Sequence, residues 1–172
     1  YLLGSIIMIL SGAFANVFTP YLYERLGNIS QAKKIEIVRI SYLFIALLFL
    51  ATVVISFISP YLFKWVIDIK YERGAEYVFW VSLSYFFWGC YLIFAGYLFY
   101  LKKTLLLAVF SIINVSLNLI LNYLLIDVFG SIGAAYATVI SFFTIFLFAA
   151  ICSKRFYPMP WLDFKNILKI AK

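Results

Sequence analysis

Ser41-Tyr-Leu-Phe-Ile-Ala-Leu-Leu-Phe-Leu50 runs through ten residues without alternating between polar and apolar side chains. A membrane strand would alternate over roughly ten residues, one face to lipid and one to the lumen. A helix is therefore the only spanning element this run fits. The apolar stretch around it extends from Ile40 to Phe63, enough for the roughly 20 residues that a helix rising about 1.5 Å per residue needs to cross a hydrocarbon core about 30 Å thick. Four more stretches meet that length: Tyr1 to Leu22, Tyr77 to Leu101, Thr104 to Ile126 and Ile132 to Cys152. None carries a charged side chain in its interior.

Composition leads to the same class. The 172 residues are 66% hydrophobic, 22% aromatic and only 12% charged, too little polar surface to solvate a globule of this size. The expected fold is all-α, a polytopic transmembrane bundle with five spans over residues 1–156, followed by a short segment over 157–172. Tyr157-Pro-Met-Pro160 stops the last span, because each proline disfavours helical geometry in the residue before it. Beyond it, Trp161, Phe164, Leu168 and Ala171 fall on one helical stripe and Lys165, Lys169 and Lys172 on another. That pattern suits either a headgroup-level amphipathic helix or a linker entering a further span.

The net charge of +7 sits in short breaks beside the spans rather than on one basic face, which argues against a nucleic-acid partner. The break from Glu24 to Arg39, the turn Lys102-Lys103 and the tail from about residue 153 hold eleven Lys and Arg residues. The two alternate breaks hold three. The positive-inside rule makes the first set cytoplasmic, so Tyr1 begins on the outer side. With no initiator methionine, no charged region ahead of the first span and an inward-running first helix, the chain reads as the later part of a longer protein.

Catalytic chemistry finds little to work with. There is no histidine, hence neither the commonest proton shuttle nor the commonest metal ligand. The carboxylates lie at membrane edges. Asp68, Glu72 and Glu76 share a helix face by spacing but are interleaved with Lys70 and Arg73, as on a solvated mixed-charge surface. Cys90 and Cys152 fall at different depths and read as free thiols; two cysteines without histidine give no zinc spacing. No enzyme, cofactor or metal is expected.

The informative residues are the uncharged polar ones inside spans. Ser111, Asn114, Asn118 and Asn122 lie at i, i+3, i+7 and i+11, one face of the fourth span. An amide facing lipid without a partner costs several kcal/mol, so this face should meet another helix through hydrogen bonds or line a polar path. The first span has a comparable stripe of Ser5, Met8, Gly12, Asn16 and Thr19, flanked by Ser11 and Ala15. Gly12 suits close helix packing, while Asn16 and Thr19 could hydrogen-bond a sugar or phosphate. Gly130 and Gly133 suit a tight turn and a close helix approach. No span holds an ionisable residue of the kind that marks a proton relay.

Several stretches taken in order resemble bacterial polysaccharide flippases of the multidrug, oligosaccharidyl-lipid and polysaccharide exporter superfamily. They are Tyr71 to Tyr77, then Gly96-Tyr-Leu-Phe-Tyr-Leu-Lys-Lys-Thr104, then Asn114 and Asn118, then Phe129-Gly-Ser-Ile-Gly-Ala-Ala-Tyr-Ala-Thr138. The first break fits as well, with Pro20 ending a span and Gly27-Asn-Ile-Ser-Gln-Ala32 leading into the next helix. Such proteins face two helical bundles across a central cavity, and this chain resembles the second bundle, from the eighth span to the twelfth. The resemblance implies alternating-access export of an undecaprenyl-linked oligosaccharide across the bacterial inner membrane, for O-antigen, capsule or exopolysaccharide. Membrane lipids and other polysaccharide-assembly proteins would be its partners. It also implies a cavity position for Ser11, Asn16 and Thr19, and marks Asn114 and Asn118 as family positions. A small-solute or drug exporter of the same superfamily is the first alternative. A membrane glycosyltransferase or polymerase is the second, though the outer breaks are too short for an active-site lid.

Overall fold

The computed structural model describes residues 2–65 and 74–163. These form five helices, α1 Ser5–Gly27, α2 Gln31–Trp65, α3 Ala75–Tyr100, α4 Thr104–Phe129 and α5 Ile132–Phe156, each long and apolar enough to cross a membrane. The multi-pass helical class expected from the sequence is therefore what the chain adopts. The acidic and basic residues at 68, 70, 72 and 73, and the stripes beyond residue 163, lie outside the described residues.

Two helix ends depart from expectation. Pro20 does not end α1, which continues to Gly27. In a membrane the alternative to a helix is unpaired backbone in hydrocarbon, so a helix tolerates a proline and loses one bond rather than stopping. The second difference is α2, which starts at Gln31 rather than Ile40 and runs 35 residues. At 1.5 Å per residue that is about 52 Å, well beyond the hydrocarbon slab, so the charged turns through Arg39 stand clear of it. The break from Glu24 to Arg39 thus shrinks to residues 28–30. Ser30 caps α2, its Oγ accepting from the Lys33 amide at 3.3 Å, and the Lys33 ammonium donates to the Asn28 carbonyl at 2.6 Å just past α1.

The other connections follow from local chemistry. Lys102 takes a left-handed φ of 56°, its amide bonding Phe99 O and that of Lys103 bonding Leu98 O, the pairing of a Schellman turn. Gly130 ends α4 at φ 67°, ψ −152°, a region essentially closed to other residues. Gly130→Ala is accordingly expected to cost about 1–3 kcal/mol, read as a lower midpoint in detergent unfolding. Tyr157 is extended ahead of Pro158 and closes α5, its amide still bonded to Ser153 O at 2.8 Å.

The helix α3 is the hub. It packs against α5, α1 and α2, while α4 lies mainly on α5, and α2 and α5 do not touch. Around α3 the surface from Ile93 to Leu98 is buried on every side. Its contact with α5 is largely aromatic: Phe87 meets Phe143 and Phe146 at ring distances of 4.9 and 6.1 Å, and Trp80 meets Tyr136 at 4.7 Å. On α5 the buried row is mostly small, Gly133, Ala137, Ser141, Ile145, Ala149 and Ser153, one residue per four, which lets neighbouring backbones come close.

Antiparallel packing gathers the positive charges. Arg25, Lys33, Lys34, Arg39, Lys102, Lys103, Lys154 and Arg155 lie at the end where α1, α3 and α5 finish, against Lys64 alone among the described basic residues at the opposite end. An aromatic layer underlies them. The Lys34 ammonium is 5.9 Å from the Tyr157 ring and that of Lys103 is 5.1 Å from Phe156, while the Tyr100 ring lies tilted beside Tyr23 and edge-on to Tyr157. Burial and the neighbouring Tyr100 raise the Tyr157 phenol above its ordinary pKa. Arg25 and Glu36 pair at 2.8 Å across the α1–α2 corner, in a part-exposed setting where such a pair adds little stability.

Candidate functional site

Serine and threonine hydroxyls in the spans are mostly satisfied inside their own helices. Ser11 donates to Ile7 O, Ser41 to Ile37 O, Thr52 to Leu48 O and Ser141 to Ala137 O, at 2.7–2.9 Å. Such groups need no ligand. Ser11 illustrates this: it is buried on the row Ile7, Ser11, Phe18, Leu22 and Leu26 that faces the bundle. A Cβ built on Gly89 of α3 would come within 2.5 Å of its Oγ, so Ser11 sits in the α1–α3 contact rather than in a cavity.

The remaining polar positions of α1 point the other way. Asn16 is exposed, Gly12 and Thr19 are half-buried, and a Cβ at Gly12 would meet nothing within 4 Å. The close approach expected at Gly12 is therefore not there. It occurs at Gly89 instead, a position the sequence did not single out because its neighbours are large and aromatic.

Asn16 is the middle residue of α1, at the depth of the bilayer centre if the helix is centred in the membrane. Pro20 lies four residues later and has no N–H, so it leaves the Asn16 carbonyl without its helical donor. The chain repeats this arrangement in α2 and resolves it there. Pro60 frees the Ser56 carbonyl, and the buried Ser59 hydroxyl donates to it at 3.0 Å. Among the described residues no side-chain donor reaches the carbonyl of Asn16. An exposed amide and a freed carbonyl thus belong to one residue, on one face, in the middle of a spanning helix.

The asparagine row of α4 behaves differently from either reading of its sequence. Asn122 donates from Nδ2 to both the carbonyl and Oδ1 of Asn118, at 2.8 and 2.9 Å, and Ser111 donates to Leu107 O. These bonds stay within α4, and among the described residues none joins the row to another helix. Asn114 Oδ1 is buried with no donor. It borders a small polar cleft of about 200 Å³, with Asn118 on the same helix and Thr138 and Ser141 across from it on α5. The hydroxyls there already donate to their own helix, so they turn only oxygen lone pairs to the cleft, beside the Asn114 and Asn118 amides.

The two sets of candidate residues do not meet. Asn16 and Thr19 lie on α1, which contacts α2 and α3; Asn114 and Asn118 lie on α4, which contacts α5 and, slightly, α3. Gly130 and Gly133 take the turn and close-approach positions expected of them, a Cβ on Gly133 running into the α4 backbone at Leu125. Cys90 is buried and Cys152 half-buried, both as free thiols. No group of three His, Cys, Asp or Glu residues fit to hold a metal occurs among the described residues.

Compared with family models, curated proteins and solved structures, the chain matches none.

Proposed function

We propose that this chain is part of a bacterial inner-membrane transporter that moves an undecaprenyl-linked oligosaccharide across the bilayer by alternating access during polysaccharide assembly. The observation that supports the reading is the Asn16 face of α1. An exposed amide and a freed carbonyl in the middle of a membrane helix are costly against lipid, and become useful against a water-filled path or a hydroxyl-rich ligand. Binding near the bilayer midplane, at the face between helical halves, is where transporters concentrate such groups. Asn16 and Thr19 then contact the glycan, and the five helices serve as one wall of the path. The α4–α5 cleft, with Asn114 and Asn118, lies away from that wall and holds water or hydroxyls between two helices. The absence of intramembrane charge on the described spans leaves any ion coupling to other parts of the protein.

The test is translocation of a labelled undecaprenyl-pyrophosphate oligosaccharide by the full-length protein in reconstituted vesicles. Native protein is expected to transfer the label between leaflets. Asn16→Leu, which removes no contact inside the bundle, is expected to slow transfer about tenfold, the effect of one lost hydrogen bond to a bound polar group. Asn118→Leu should change the rate little. Transfer of a small solute in place of the lipid-linked glycan, or an unchanged rate in folded Asn16→Leu, would overturn the reading.

A further inference from the structure

Because α2 and α5 do not touch, an open groove of about 360 Å³ remains between them over the face of α3. Ile45 of α2 forms one wall and Ala150 of α5 the other, with Phe86 and Phe94 of α3 as the floor. Phe86 is near the middle of α3 and Phe94 is eight residues nearer the basic end. At 1.5 Å per residue that stretch is about 12 Å, close to the roughly 15 Å depth of one leaflet's hydrocarbon.

The groove changes character at its basic end. There Trp161 closes it, its ring 4.9 Å from Phe94 and 5.8 Å from Tyr42, and the Tyr42 hydroxyl donates to the Trp161 carbonyl at 2.7 Å. Trp161 thus packs on the bundle. Beside it Lys154 lines the mouth, exposed and without an ion pair among the described residues. An apolar slot one leaflet deep, ending beneath a lone ammonium at headgroup level, has the layout of a phospholipid: chain below, phosphate above.

We infer that this groove seats one acyl chain of an anionic phospholipid from the leaflet at the basic end, with Lys154 on the phosphate. The charge argument selects the anionic class. A zwitterionic lipid fills the same slot but brings no net charge to Lys154. The inference does not depend on the transport reading, since it concerns a different face of the bundle.

Trp161 is a built-in reporter. In the full-length protein with every tryptophan but Trp161 changed to Phe, Trp65, Trp80 and Trp88 among them, its fluorescence is followed in phosphatidylcholine bilayers. These contain rising fractions of phosphatidylglycerol or of phosphatidylcholine brominated near the headgroup end of the chain. Half-maximal quenching is expected at about fivefold lower mole fraction for the brominated phosphatidylglycerol, the preference one lysine at a membrane surface supplies. Lys154→Gln should bring the ratio to about one, and Ala150→Phe should remove the quenching by filling the slot. Equal quenching by both lipids, a ratio unchanged in Lys154→Gln, or no quenching by either, which would mean that protein covers the groove, each overturns the assignment. Displacement by undecaprenyl phosphate at lower mole fraction than phosphatidylglycerol would overturn it in favour of a polyprenyl chain. Should the single-tryptophan variant not fold, native mass spectrometry of the protein with its native tryptophans gives the same contrast. Retained phosphatidylglycerol that is lost in Lys154→Gln supports the assignment, and no retained lipid sinks it.

Discussion

Gly133→Ala is expected to destabilise the protein by about 3 kcal/mol, the upper end for a methyl forced into a packed site. The added Cβ would fall on the carbonyl oxygen and carbon of Leu125 and within 2.8 Å of the Ile126 amide nitrogen. All three are backbone atoms of α4. No rotamer change moves them aside, so α5 and α4 must separate where they cross. What holds α4 makes that costly, because Leu107 and Phe110 are its only buried residues and nearly all its contacts are with α5. Both helices should keep their own hydrogen bonds, since hydrocarbon offers no replacement. The damage would therefore show as α4 detaching rather than melting. Titration of the protein from mild detergent into a denaturing one, followed by near-ultraviolet circular dichroism, should show an early loss of aromatic packing with helicity retained. A Gly133→Ala protein as resistant as the native one would show that the crossing is looser than the structure has it.

The five spans were legible in the sequence because their cause is simple. A hydrocarbon slab demands length and apolarity, and runs such as Ser41 to Leu50 supply both. The facing of each helix was not legible. In a soluble helix the apolar stripe marks the buried side, but here lipid and protein interior are equally apolar, so Leu10 and Val17 on the outside read like Leu22 and Leu26 on the inside. Polar and small residues were the only remaining signal. In α1 they marked the outward face, while the packed row ran through Ile7, Phe18 and Leu22 with Ser11 as its one polar member. In α4 the asparagines were found at the expected spacing, yet Asn118 and Asn122 bond each other within the helix. Spacing fixes which residues share a face, and says nothing of whether the partner is the next turn or the next helix. Pro20 misled for a related reason, since the rule that proline ends helices holds where water can take up the freed carbonyl.

The pair Gly89 and Gly12 decides between the two facings of α1. Gly89→Val is expected to cost about 3 kcal/mol, and Gly12→Val about 1 kcal/mol or less, the helix-propensity difference being small and the site open. A Cβ on Gly89 would lie 2.5 Å from both the Leu48 Cδ2 methyl and the Ser11 Oγ, and 3.2 Å from the Ser11 Cβ, at the point where α1, α2 and α3 meet. An alanine there is bearable because the Leu48 methyl and the Ser11 hydroxyl can turn away. The two γ methyls of valine add bulk beside Ser11 Cβ, which cannot turn away. Ser11→Gly opens that space, so in the double variant the two changes should couple favourably by about 1 kcal/mol or more, as residues in direct contact do. Ser11→Gly paired with Gly12→Val should show no such coupling. If Gly12→Val proved the more damaging and Ser11→Gly relieved nothing at Gly89, α1 would have to be turned so that Gly12 and Asn16 face α3. The amide would then be a packing element, the freed carbonyl of Asn16 would be sheltered by protein, and α1 would present no polar face for a glycan to pass.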